Sequence, residues 1–210
     1  MPRDTADRNG TAPLTIIGSR SPEFSVQAIV GGKIVNLTSL DLLDRYALLF
    51  FYPNDFSIVC PTELMALQHA LPEFEQRSVE VIGISVDSIE AHQAWLLQPE
   101  SDHGISGVTF KLVSDVRKEL ARAFCVLDED AGICHRGVFL LDRDSLVVYG
   151  AVNNLDVGRN IEELLRIVDA AQHTEQYVEW CPADWRPGAR TIGPGQEGIM
   201  KYYGARSARK

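Results

Sequence analysis

The sequence predicts one mixed α/β domain followed by an extended carboxy-terminal arm. Short, strongly apolar runs read as buried strands, and between them apolar residues recur every three or four positions, as on helices. Both patterns stop at about Thr174. With 210 residues, 45% hydrophobic and 23% charged, the chain fits one large domain with tails better than two full domains. The expected division is an amino-terminal tail over residues 1–12, a domain over 13–173 and an arm over 174–210.

The first element, "FSVQAIVGGKIVNL" at 24–37, gives two short strands turning on Gly31-Gly32. "RYALLFFY" at 45–52 is apolar without alternation, as a strand buried on both faces is. After Cys60, residues Leu64, Leu67, Leu71 and Phe74 keep helical spacing. "VEVIGISVD" at 79–87 is a second buried strand, and a helix with Trp95 follows from Ser88 to Leu97. "VTFKLVSD" adds a strand and "VRKELARAFCV" a short helix. "GVFLLD" and "SLVVYGAV" form a hairpin about Asp142 to Ser145, and "NIEELLRIVDAAQ" a last helix with Ile161, Leu164, Leu165 and Val168 inward. Strands alternating with helices, then a hairpin and a final helix, suggest a thioredoxin-like α/β core. The arm is rich in Pro, Gly and charge but carries Cys181 and several aromatics, so it is expected to dock rather than to trail as a linker.

Twenty Lys and Arg against 29 Asp and Glu leave a net charge of −9, which argues against nucleic-acid and anionic-membrane partners. The longest apolar runs, such as "YALLFFY", fall far short of the ~20 residues that span a bilayer. "MPRDTADRNGTAPLT" lacks the apolar segment of a secretory signal, so a cytoplasmic location is expected. The cysteines Cys60, Cys125, Cys134 and Cys181 include no CxxC pair, which removes a zinc-ribbon spacing and a CxxC redox motif. Cys125 falls on the apolar side of the expected short helix and reads as a buried core thiol. Cys134 beside His135 lacks further ligands at metal-binding spacing. Its closeness in sequence to Arg136 leaves open a regulatory thiol.

The stretch "FFYPNDFSIVCPTEL" at 50–64 places Cys60 where a strand stops and a helix begins. Pro61 suits the first turn of a helix, which puts Cys60 beside unpaired N–H groups and the positive end of the helix dipole. An ordinary thiol of pKa about 8.5 is only ~3% ionised at pH 7, and one lowered to about 6 is ~90% ionised. That gain is roughly thirtyfold, so fast thiol chemistry also requires stabilisation of its transition state. Ser57 brings a hydroxyl and Pro53 a fixed φ to the same loop. Spacing alone equally allows an inert Cys60, a capping Ser57 and a Glu63 that only balances the dipole.

"FYPNDFSIVCPTE" resembles the peroxidatic-cysteine motif of the peroxiredoxins, in particular the typical 2-Cys group that includes alkyl hydroperoxide reductase C. Three further segments agree in the family's order. "GICHRGVFLLD" matches the strand with the family's active-site arginine, "VNNLDVGRN" the segment with a second arginine, and "VEWCPADWRPG" the resolving-cysteine motif. The resemblance covers roughly residues 13 to 195.

It implies a thiol peroxidase in which Cys60 attacks a hydroperoxide and becomes a sulfenic acid. Arg136, Ser57 and pocket N–H groups would stabilise the charge that moves from sulfur to oxygen, with Glu63 orienting the arginines, Arg159 among them. It also implies that Cys181 of the partner in an antiparallel homodimer resolves the sulfenic acid, after local unfolding of residues 55–64. A thioredoxin-type dithiol protein or a flavoprotein-linked disulfide reductase would return the electrons, without cofactor or metal. Five such dimers commonly close a ring in this family. Ser57 departs from the usual threonine, while "HGIS" at 103–106 and "KYYG" at 201–204 only partly match the segments that brace the closed pocket in members prone to overoxidation. A ring-forming chaperone or redox-signalling module and a one-cysteine peroxidase are the alternatives.

Overall fold

The computed structural model describes residues 16–207, so the tail over 1–12 lies outside the described residues. Strands β1 (Ser25–Val30) and β2 (Lys33–Thr38) form the expected hairpin. Its two-residue turn requires positive φ at both positions, which Gly31 and Gly32 adopt at 55° and 74°. Strand β3 (Tyr46–Phe51) leads through a loop into α1 (Cys60–Gln76), and β4 (Val79–Ser85) into α2 (Ile89–Leu97). Strand β5 (Lys111–Ser114) and helix α3 (Glu119–Ala123) are shorter than the sequence suggests. Two short strands, β6 (Leu127–Asp128) and β7 (Ile133–Cys134), pair as a separate ribbon before the hairpin of β8 (Arg136–Leu141) and β9 (Val147–Asn153).

The main sheet has the order β2-β1-β5-β4-β3-β8-β9. β3 pairs parallel with β4 and antiparallel with β8, which makes it a central strand. All six of its residues are buried, and period-two alternation divides them between two cores. Tyr46, Leu48 and Phe50 face α1, α2 and α4 (Ile161–Tyr177). Ala47, Leu49 and Phe51 face Leu120, Ala121 and Phe124 on the other side. Helices on both faces of a mixed sheet form the thioredoxin-like arrangement.

Helix α4 runs to Tyr177, four residues past the expected edge of the domain. The arm then folds back. Trp180 and Ile192 exchange backbone hydrogen bonds of 2.9 Å, and Trp185 is buried with its ring 4.9 Å from that of His173 on α4. Helix α5 (Gly195–Ser207) follows. The docking expected of the arm is therefore onto α4, and the arm contains a helix that its composition hid.

The two-sided burial of β3 makes its side chains unequal to surface leucines of the same chemistry. Leu48→Ala is expected to lower the unfolding free energy by about 2–5 kcal/mol, whereas Leu97→Ala, at 84% exposure, should change it by less than about 0.5 kcal/mol. Urea denaturation of the two variants checks this, and equal effects would contradict the buried position of β3.

Candidate active site

Cys60 is the first residue of α1, with Pro61 in the first turn as the sequence requires. The Val59 carbonyl accepts from the Thr62 and Glu63 backbone N–H groups at 3.1 and 3.3 Å and from the Thr62 hydroxyl at 2.6 Å. That turn points Cys60, Glu63, Leu64 and Leu67 to one inner face, since residues three and four apart share a side of a helix. Cys60 is wholly buried.

Arg136 stands at the start of β8, beside the end of β3 from which the chain enters the Cys60 loop. Its Nη1 donates to Cys60 Sγ at 3.2 Å and to Glu63 Oε2 at 2.6 Å, while its Nε donates to the Leu155 carbonyl at 2.7 Å. Arg159, just before the Asn160 cap of α4, holds the other side of the same carboxylate. Its Nε and backbone N–H reach Glu63 Oε1 at 2.9 and 2.8 Å, and its Nη2 reaches Oε2 at 3.0 Å. Nη1 of Arg159 donates to the carbonyls of Phe51 and Gly137 at 2.7 and 2.6 Å, and the guanidinium lies 3.2 Å over the ring of Phe50.

Burial opposes the charge of Glu63, but the hydrogen bonds and charge of Arg159, with the charge of Arg136, outweigh it and hold the carboxyl below its ordinary range. Both arginines and Glu63 are about 3% exposed. Two guanidiniums and one carboxylate leave one buried positive charge, which an anionic sulfur at Cys60 would neutralise. Ser57 Oγ is buried with no hydrogen-bond partner among the described residues, and Pro53 is buried in the same loop. A buried hydroxyl left without a partner is unfavourable unless a ligand supplies one.

The structure thus brings together Cys60, Glu63, Arg136 and Arg159, with Ser57 and Pro53 in the loop before them. Cys181 is elsewhere: its Sγ lies 3.8 Å from the Ala170 carbonyl of α4 and is partly buried. Cys125 requires correction, because it is exposed rather than in the core. Helix α3 ends at Ala123, and Cys125 takes a left-handed φ of 54°, so that Phe124 and Val126 turn inward and the thiol outward. Cys134 is buried in the core on the other side of the sheet from Cys60. Burial and the charges of Asp115 and Asp87 push its thiol up to about 12, which suits packing rather than redox chemistry.

The AhpC/TSA family profile matches residues 17–150. The chloroplastic 2-Cys peroxiredoxin BAS1 of Hordeum vulgare is 37% identical over 193 residues, covering 91% of this chain and 92% of that protein. Peroxiredoxin-2 of Mus musculus is 39% identical over 187 residues, covering 89% and 94%. Reduced 2-Cys peroxiredoxin of Plasmodium vivax superposes with a TM-score of 0.88 at 38% identity, over 90% of this chain and 99% of that one. The chain belongs to the AhpC/TSA family. It is a peroxiredoxin, a thiol-dependent peroxidase of thioredoxin-like fold.

One part of this peroxiredoxin site escaped the sequence reading. Asp55, in the loop before Cys60, accepts from the Tyr52 hydroxyl at 2.9 Å and meets His92 Nδ1 of α2 at 2.7 Å, with all three side chains buried. His92 Nε2 faces the Val113 carbonyl at 3.1 Å. Both ring nitrogens therefore face oxygens, and with Asp55 ionised the doubly protonated ring satisfies both; burial raises the Asp55 carboxyl, so the pair shares its charge in a desolvated site. Burial disfavours the charge of His92, but the hydrogen bond and charge of Asp55 outweigh burial and raise the affinity of His92 for its proton. The available signal was the position of His92, three residues from both Ile89 and Trp95 on the buried side of α2.

A histidine whose folded-state pKa is raised contributes stability fully below its unfolded value of about 6.5 and loses it as pH rises through the folded value. His92→Gln should therefore be destabilised most at low pH, with the deficit relative to wild type shrinking as pH rises above about 6.5. Urea unfolding of both proteins from pH 5.5 to 9 checks this; a deficit independent of pH would mean that the Asp55–His92 contact is not ionic.

Proposed function

We propose that Cys60 is the peroxidatic thiol and Cys181 the resolving one. The observation that carries the first half is the Arg136 guanidinium at 3.2 Å from Cys60 Sγ. The sulfur attacks the terminal oxygen of a hydroperoxide, the O–O bond breaks, and the second oxygen leaves as water or alcohol once protonated. Negative charge passes from sulfur to that oxygen in the transition state. Arg136 is fixed through Nη1 and Nε, and its Nη2 has no acceptor among the described residues, which leaves donors for the peroxide. The unpartnered Ser57 hydroxyl supplies another, so a serine suffices where the family most often has threonine.

The sulfenic acid then condenses with a second thiol. A disulfide requires the sulfurs at about 2.05 Å, and a fully buried Cys60 meets that only if its loop opens. Phe56 in this loop holds a left-handed φ of 55°, a strain of about 1–2 kcal/mol for a non-glycine residue, and opening the loop releases it. Cys181 of a second copy in a homodimer is the partner on this reading, and five dimers in a ring are its extension. A thioredoxin-type protein or a flavoprotein-linked reductase regenerates both thiols, which suits the reducing environment of the cytoplasm.

Reduced protein treated with one equivalent of hydrogen peroxide, thiol-blocked and mapped by peptide mass should give a Cys60–Cys181 crosslink that runs as a dimer without reductant. Cys60 oxidised with Cys181 free would leave a one-cysteine peroxidase. An unmodified Cys60 would remove it as the peroxidatic residue.

A further inference from the structure

Between Pro53 and Val59 one backbone N–H ties the Cys60 loop to the rest of the domain. The Asp55 N–H donates to Asp87 Oδ2 at 2.9 Å, and among the described residues no other backbone N–H of this stretch donates outside the loop. Asp87 follows β4 and is itself held at several atoms. Ser85 Oγ donates to the same Oδ2 at 2.7 Å and accepts from the Asp87 N–H at 3.2 Å, while Ser114 Oγ donates to the Asp87 carbonyl at 2.6 Å. The two serines are buried and stand in register at the ends of the parallel strands β4 and β5. The sheet therefore presets the acceptor, and the loop closes onto it.

We infer that Asp87 is the latch of this loop and, through it, a positioning residue that sets how oxidised Cys60 is divided between two fates. This rests on the reading that the loop opens for Cys181 to reach the Cys60 sulfur. Asp55 is 3% exposed, so in the closed loop its N–H depends on Asp87, whereas in the open loop water serves. Removing the carboxylate thus disfavours the closed loop alone, and the loss of one hydrogen bond to a charged acceptor shifts the opening equilibrium about tenfold. The pair of Asp55 with His92 holds the same residue by its side chain and is left in place. Once Cys60 is a sulfenic acid, a second hydroperoxide competes with Cys181. In the closed pocket the sulfenic sulfur attacks that peroxide: an S–O bond forms, the O–O bond breaks, sulfur is oxidised by two electrons to the sulfinic acid, and the peroxide is reduced to water or alcohol. In the open loop the Cys181 sulfur attacks instead: an S–S bond forms, the S–O bond breaks, and the oxygen leaves as water. By holding the loop closed, Asp87 favours the first fate.

Hydrogen exchange of the reduced protein, read by mass on peptides covering residues 53–64, measures the latch independently of Cys181. Asp87→Ala should speed exchange there about tenfold while peptides of β3 and β4 match wild type. Asp87→Asn, which keeps an acceptor oxygen, should restore most of the protection. Titration with hydrogen peroxide, followed by thiol blocking and intact mass, then measures the division of fates. The peroxide concentration at which half of Cys60 ends as sulfinic acid should rise about tenfold in Asp87→Ala, with the first oxidation of Cys60 little changed because the loop stays mostly closed. If Asp87→Ala does not fold, Asp87→Ser, whose side chain is too short to reach the Asp55 N–H, replaces it. Exchange over 53–64 equal to wild type, or raised equally in β3 and β4, would overturn the latch. So would an unmoved sulfinic midpoint in a protein that forms the Cys60–Cys181 disulfide. Should wild type form no such disulfide, the resolving reading fails and the division of fates with it, while exchange over 53–64 still decides the latch.

Discussion

A single carboxylate shared by two buried guanidiniums holds this site together. Glu63 takes one oxygen contact from Arg136 and three contacts from Arg159, and it joins three separate parts of the chain: the first turn of α1, the start of β8 and the segment before α4. A buried arginine without a partner would carry a desolvation penalty of several kcal/mol. Glu63 offsets part of that penalty for each, leaving one net positive charge, and in doing so fixes the direction of Arg136. Its Nη1 then has one hydrogen for Glu63 and one for Cys60 Sγ, so the donor at the sulfur is pre-aimed rather than recruited during the reaction.

The proposed cycle adds a second requirement, that the site be held from below and released from above. β3 is buried on both faces and paired on both edges, and it delivers the chain to Cys60 through a loop of eight residues. That loop is held by a few discrete interactions: the Asp55–His92 pair, the Tyr52 hydroxyl and the ring of Phe56 against Trp95. Discrete polar anchors and one strained residue suit a segment that, on the proposed cycle, is ordered for one chemical step and open for the next.

Much of this was legible in the residues. The unalternating apolar run of β3, the glycine pair of the first hairpin and the helical spacing after Cys60 report burial and backbone needs that are local in sequence. The Cys60 motif and the two arginines could be matched because each lies in a short contiguous segment. Local patterns were misleading where the backbone departs from its period. Cys125 looked like part of an apolar helix face, but α3 stops two residues earlier and a left-handed turn reverses the side. Asp55 and His92 are 37 positions apart, and nothing local says that they meet. Helix α5 was hidden because its sequence, "GQEGIMKYYGARS", shows no strong apolar stripe.

On the proposed reading, Glu63 aims Arg136 at the reacting sulfur of Cys60. The most direct test is the second-order rate constant for oxidation of Cys60 by hydrogen peroxide in folded Glu63→Gln, read by stopped-flow fluorescence beside wild type. Loss of a pre-aimed charge-stabilising donor lowers such rates about 10²–10³-fold, and Glu63→Gln should show a fall of that order. A rate within a factor of two or three of wild type would mean that Arg136 reaches the sulfur without Glu63, and would contradict that reading.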